Sequence, residues 1–176
     1  MRALPVLVVA IAAVLTACGS GEANPNSLTP TARPGKVFND LLQPEFDLAV
    51  QADEALTREQ EALAAELEQS PGPLLTASDE AFDRVIDAAN TFQLRYNNLL
   101  AKLAVITPIE ECLGMQILLV RTANLSVEYG LAVRTATETL RETGETDVEA
   151  SQRRANALAE LEAVGEDIAV AAASCS

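Results

Sequence analysis

From Leu42 onward, apolar side chains recur in alternating steps of three and four, the spacing of one face of an α-helix. The cleanest run is Phe82, Val85, Ala89, Phe92, Tyr96, Leu99, Leu103 and Ile106, an unbroken seam over eight positions. A preceding seam of Leu42, Phe46, Ala49, Asp53, Leu56, Gln60, Leu63 and Leu67 predicts a helix from about Lys36 to Gln69. Pro44 is expected to break or restart it, because proline suits a helix start and not its interior. The last seam, Ala157, Leu161, Val164, Ile168, Ala171 and Cys175, predicts another helix.

Punctuation residues set the boundaries. Ser70-Pro71-Gly72-Pro73 stops the first helix. Thr76 and Asp79 stand at capping-box spacing before the second, with Ser78 as an alternative cap. Thr107-Pro108-Ile109-Glu110 offers a cap, a proline for the first helical position and a glutamate, so a third helix is expected to open there and run to about Glu142. Gly144 ends it, and Thr146 with Glu149 forms a box for the fourth. Short connections between long amphipathic helices make neighbours antiparallel. The expected fold is all-α, an antiparallel up-down four-helix bundle over residues 36–176.

That register sets Ala123 near Val164 and Gly130 near Ala157, which predicts either close approach or a cavity between the third and fourth helices. Ile117-Leu118-Leu119-Val120 is apolar all round, which predicts burial on several sides. Tyr96 is expected to satisfy its hydroxyl locally. Asn90, Gln93, Arg95, Asn97 and Asn98 flank the second seam and are expected to be mostly wet.

Charge narrows the partners. The chain carries a formal net charge of −14. Such a body is repelled by phosphates, which argues against nucleic acid and against lying flat on an anionic lipid surface. Region 36–70 has nine acids against two bases, and region 144–176 has seven against two. If the first and fourth helices are neighbours, one broad side is negative.

Composition narrows the chemistry. There is no histidine, so a Ser-His-Asp or Cys-His mechanism, an HExxH zinc site and a Glu-x-x-His di-iron site are all excluded. A two-carboxylate glycosidase would be expected to stack sugars on aromatic rings, and aromatics are 3% of the chain with no tryptophan. No Asp-x-Asp-x-Asp-Gly loop is present, so no calcium site is expected. The expectation is a protein that is not an enzyme, with no catalytic residue, metal or cofactor assigned and its ligand-binding residues unknown.

The chain opens with a basic residue, Arg2, followed by an almost unbroken apolar run from Ala3 to Val14 and small residues before Cys18. This is the layout of a secretory signal, and the run is too short for a membrane-spanning helix of roughly 20 residues. Leu15-Thr16-Ala17-Cys18 resembles the lipobox of bacterial lipoproteins. The resemblance implies that residues 1–17 are removed and that Cys18 becomes a lipidated N-terminus carrying at least two acyl chains of the palmitate kind, which together give stable anchoring. Residues 18–35 then hold the lipidated cysteine and a flexible Pro/Gly/Ser linker, able to span roughly 23 Å. The expected location is the bacterial cell envelope, on the extracytoplasmic face of a membrane.

The two remaining cysteines fit that compartment. Both arms of a helical hairpin rise about 1.5 Å per residue, so positions equidistant from the reversal at Gly144-Glu145 face each other. Cys112 and Cys175 are nearly such a pair. Disulfides persist in oxidising compartments, and a Cys112–Cys175 bond is expected. The functional expectation is a noncatalytic, membrane-anchored envelope lipoprotein whose bundle binds a protein partner or a small ligand. The alternative is an accessory subunit of a membrane complex with no ligand site.

Overall fold

The computed structural model describes residues 34–69, 76–107 and 110–175. Among these residues there are four helices packed against one another and no strand: α1 (Pro34–Glu68), α2 (Asp79–Val105), α3 (Leu113–Thr143) and α4 (Val148–Ser174), with a 3-10 turn at Glu110–Cys112. No helix among them is long and apolar enough to cross a membrane. The signal and Cys18, nearly all of the linker and the Ser70–Pro73 stop lie outside the described residues.

The seams form the core. Leu42, Phe46, Ala49, Leu56 and Leu63 of α1 are buried, as is every α2 seam position from Phe82 to Leu103. On α4 Ala150, Ala157, Leu161, Val164, Ile168 and Ala172 are buried, as is Cys175 at its C-cap, while the expected seam residue Ala171 is half-buried and Ala172 takes its place in the core. Pro44, however, neither breaks nor restarts α1 and sits inside it. It lies on the exposed face, as does Asp40 one turn before it, so the carbonyl that loses its partner can be hydrated. Burial of Leu42 and Phe46 on either side holds the helix through the proline.

Local caps shift the expected boundaries. The N-cap of α2 is Ser78, the second of the two candidates, whose Oγ accepts from the Ala81 N–H at 3.2 Å. Glu66 selects it: its Oε2 accepts from the Ser78 N–H at 3.1 Å and from the Ser78 hydroxyl at 2.9 Å, joining the end of α1 to the start of α2. These Ser78 bonds, the backbone one foremost, lower the Glu66 pKa, with Arg84 assisting. For α4 the cap is Asp147, one residue past Thr146, with Oδ1 accepting from the Ala150 N–H at 2.8 Å. A carboxylate there also complements the helix dipole. The α-helical part of the third helix begins at Leu113, after the 3-10 turn, while the expected opening at Pro108 lies outside the described residues. Two ties hold that turn: Cys112 to Cys175, and the Gln116 Nε2, which donates to the carbonyls of Leu103 and Ile106 at 2.9 and 3.3 Å. Gly144 closes α3 as predicted, at φ 69° with its N–H on the Leu140 carbonyl at 2.8 Å.

Helix α3 is central, packing on both α2 and α4, while α1 packs on α2. Among the described residues no Cα of α1 comes within 8 Å of one of α4. The two acidic helices are therefore separated by a groove and do not form a close pair. Gly130 serves the α2 contact: an added Cβ would lie 2.8 Å from Gln93 Cγ and 2.9 Å from Phe92 Cδ1. Ile117 is 59% exposed while Leu119 is buried, so the Ile117–Val120 run does not bury all round.

Candidate functional site

Midway along the bundle the core turns polar. Asp53 occupies a seam position of α1 and is 2% exposed. Burial, reinforced by the charge of Glu54, pushes its pKa up to about 7. Tyr96 of α2 and Ser126 of α3 are fully buried, and neither hydroxyl has a hydrogen-bond partner in the protein. Ser126 lies beside the phenol, near enough to favour its ionised form yet short of hydrogen-bonding geometry. Burial, and then the Asp53 charge, raise the Tyr96 pKa despite it. The expected locally satisfied tyrosine is thus replaced by an unpartnered one.

Beyond the Phe92 ring lies a second polar pair. Tyr129, buried on α3, donates its hydroxyl to Gln60 Oε1 at 3.4 Å. Its ring meets Phe92 edge-on at 6.0 Å, and Phe92 packs on Tyr96 at 4.6 Å. The Gln60 Nε2 is buried and has no partner. Both Asp53 and Arg154 act on the Tyr129 phenol, Asp53 opposing its ionisation and Arg154 favouring it, while burial raises its pKa most. These polar groups come from all four helices, and the hydrogen bond between Tyr129 and Gln60 joins α3 to α1.

Gln60 also lines a groove of about 200 Å³ between α1, α3 and α4, floored by Val85 of α2. Leu63, Leu67, Val133 and Leu140 make it apolar, and Gln60, Ser151 and Arg154 are polar groups on its lining. Among the described residues, no acid lies within ion-pairing distance of half-buried Arg154, whereas Arg84 alone meets Glu59, Glu66 and Glu80 at 3.2, 3.4 and 3.5 Å. A second groove, about 380 Å³, lies between α3 and α4 and is lined by Leu125, Leu131, Ala157, Arg153 and Glu160. Its charges are already matched, Arg153 with Glu149 and Glu160 with Arg121. Of these two grooves, the α1–α4 one includes an unpartnered polar atom on its lining, the Gln60 Nε2.

Each buried unpartnered polar group costs about 1–3 kcal/mol. A sequence selected for stability alone would place phenylalanine and alanine at Tyr96 and Ser126. What the arrangement offers instead is a set of donors and acceptors beside an apolar slot, which is the composition of a small-molecule site. No three Cys, Asp or Glu side chains gather in a way that could hold a metal ion among the described residues.

Of the residues singled out from sequence, Cys112 and Cys175 are brought to disulfide distance, with Cα atoms 4.5 Å apart and both side chains buried. They sit at the other end of α3 and α4 from the groove. Cys18 lies outside the described residues. Asp53, Gln60, Ser126, Tyr129 and Arg154 were not anticipated as a site. Asp53 and Gln60 carried a signal, being polar at seam positions; Ser126, Tyr129 and Arg154 carried none. No protein-family model, curated protein or solved structure matches the chain.

Proposed function

We propose that this is a noncatalytic lipoprotein of the bacterial cell envelope, anchored through Cys18 on the extracytoplasmic face of a membrane, whose bundle binds a small ligand in the α1–α4 groove. The helices run up and down in antiparallel order. Supporting that order, Arg141 bonds Asp83 at 2.7 Å while Arg134 bonds Asn90 at 3.3 Å, so rising positions on α2 meet falling ones on α3. In the same sense Cys112 meets Cys175 and Arg121 meets Glu160. The lipobox and a cysteine pair at disulfide distance support the compartment.

The observation that carries ligand binding is an apolar groove whose lining includes the unpartnered Gln60 Nε2, in a bundle whose core also holds the unpartnered hydroxyls of Tyr96 and Ser126. Native mass spectrometry of protein released from membranes is expected to show a retained small molecule, lost in Gln60→Leu. A ligand-free spectrum from native membranes would count against it. Acylation is tested separately: native protein should partition into detergent, and Cys18→Ala into the aqueous phase.

One observation favours the accessory-subunit reading. Leu113, Ile117 and Leu131 share one face of α3 and are each at least 40% exposed. Under that reading Ile117→Glu would release the protein from a membrane complex without changing the groove.

A further inference from the structure

The ligand's chemistry can be read from the groove, on the premise that the groove is a binding site. We infer that it takes a small apolar carboxylate, with the anionic head on Arg154 and the apolar body along Leu63, Val133 and Leu140.

The cation comes first. In a chain of net charge −14, where acids outnumber bases 26 to 12, two half-buried arginines, Arg95 and Arg154, have no described acid within ion-pairing distance, and of these Arg154 lines the groove. A guanidinium in a partly desolvated slot presents a planar fork of donors that matches a carboxylate. Ser151 and the unpartnered Gln60 Nε2 on the same lining supply further donors. Acidic helices on both sides repel anions in general, so a weakly hydrated anion carrying its own apolar body is favoured over a free inorganic one. Size follows from volume. At about 200 Å³ the slot is smaller than the ~300–1,000 Å³ of a drug-sized site, so it accepts a compact ligand or the carboxylate end of a longer one.

The test uses the full-length acylated chain in lipid nanodiscs and three probes of eight carbons each: octanoate, octanol and octylammonium. Binding is read by saturation-transfer NMR and by the shift in thermal midpoint, each corrected against empty nanodiscs. Octanoate should bind best, octanol more weakly, and octylammonium least. Arg154→Gln should weaken octanoate about ten- to a hundredfold while leaving octanol unchanged. Leu63→Asp should weaken octanoate and octanol together. Equal binding of octanoate and octanol, both indifferent to Arg154→Gln, would overturn the carboxylate assignment while leaving the groove a binding site. Binding of none of the three above the empty-nanodisc background would overturn the assignment and the groove reading together. Thermal midpoints of the unliganded variants, measured in parallel, identify any that fail to fold; Arg154→Lys, which keeps the charge, then serves as the second variant and should retain partial octanoate preference.

Discussion

The disulfide end of the bundle and its middle use one core in opposite ways. At the end, Leu99, Leu103, Cys112, Met115 and Cys175 are buried and apolar, and the buried Gln116 there donates to two backbone carbonyls, leaving only its Oε1 without a partner. One turn or two further in, Asp53, Tyr96 and Ser126 are as deeply buried and are left unpartnered or charge-averse. The first region is built for stability. The second gives up stability, the pattern expected where local rules yield to another demand.

Breaking the stable end should produce the largest effect. The Cys112–Cys175 pair spans 63 residues, and on the chain-entropy model the bond contributes about 4 kcal/mol. Cys112→Ala should therefore lower the thermal midpoint by roughly 10 °C under non-reducing conditions. An assay on denatured, unreduced mature protein should find no free thiol at either position.

In the middle, removing the offending group should do the reverse. Asp53 has a folded pKa above its ordinary 3.8, so the native state holds more protons than the unfolded one between pH 4 and about 7. Its contribution to stability is present at low pH and is lost as pH rises through about 7. Asp53→Asn should remove that slope, making the variant more stable than the parent at pH 8 by up to about 4 kcal/mol, with the advantage gone by pH 4. Urea unfolding at the two pH values measures it.

Smaller effects separate packing from polarity within the same middle region. Gly130→Ala should cost about 1–3 kcal/mol, because its methyl would press on the rigid Phe92 ring. Tyr96→Phe should stabilise by about 1–3 kcal/mol, since it removes a buried hydroxyl that has no partner. Tyr129→Phe should instead cost about 0.5–1.5 kcal/mol, through loss of the bond to Gln60.

The contrast also explains what could be read from the residues. Seams with one apolar stripe, those of α1, α2 and α4, were legible because a single face enters the core. Helix α3 lies between two partners, so Leu119, Thr122, Ser126, Tyr129 and Val133 are all buried and no narrow stripe marks them. Capping was legible to within a residue or two for α2 and α4 but not for α3, whose cap Cys112 is five residues past Thr107, and the choice of Ser78 depended on Glu66, twelve positions away and invisible to local pattern. Pro44 misled because its cost depends on which face it occupies. The site was half visible: Asp53 and Gln60 are polar on apolar seams, whereas the pairing of Gln60 with Tyr129 and the approach of Arg154 are products of the tertiary arrangement.

A carbon-13 NMR titration of the Asp53 carboxyl in the folded protein addresses the polar middle most directly. The account predicts a midpoint near 7 that returns toward 4 on unfolding. A native-state midpoint near 4 would mean that Asp53 is solvated or paired, and the reading of this core as one that gives up stability would not stand.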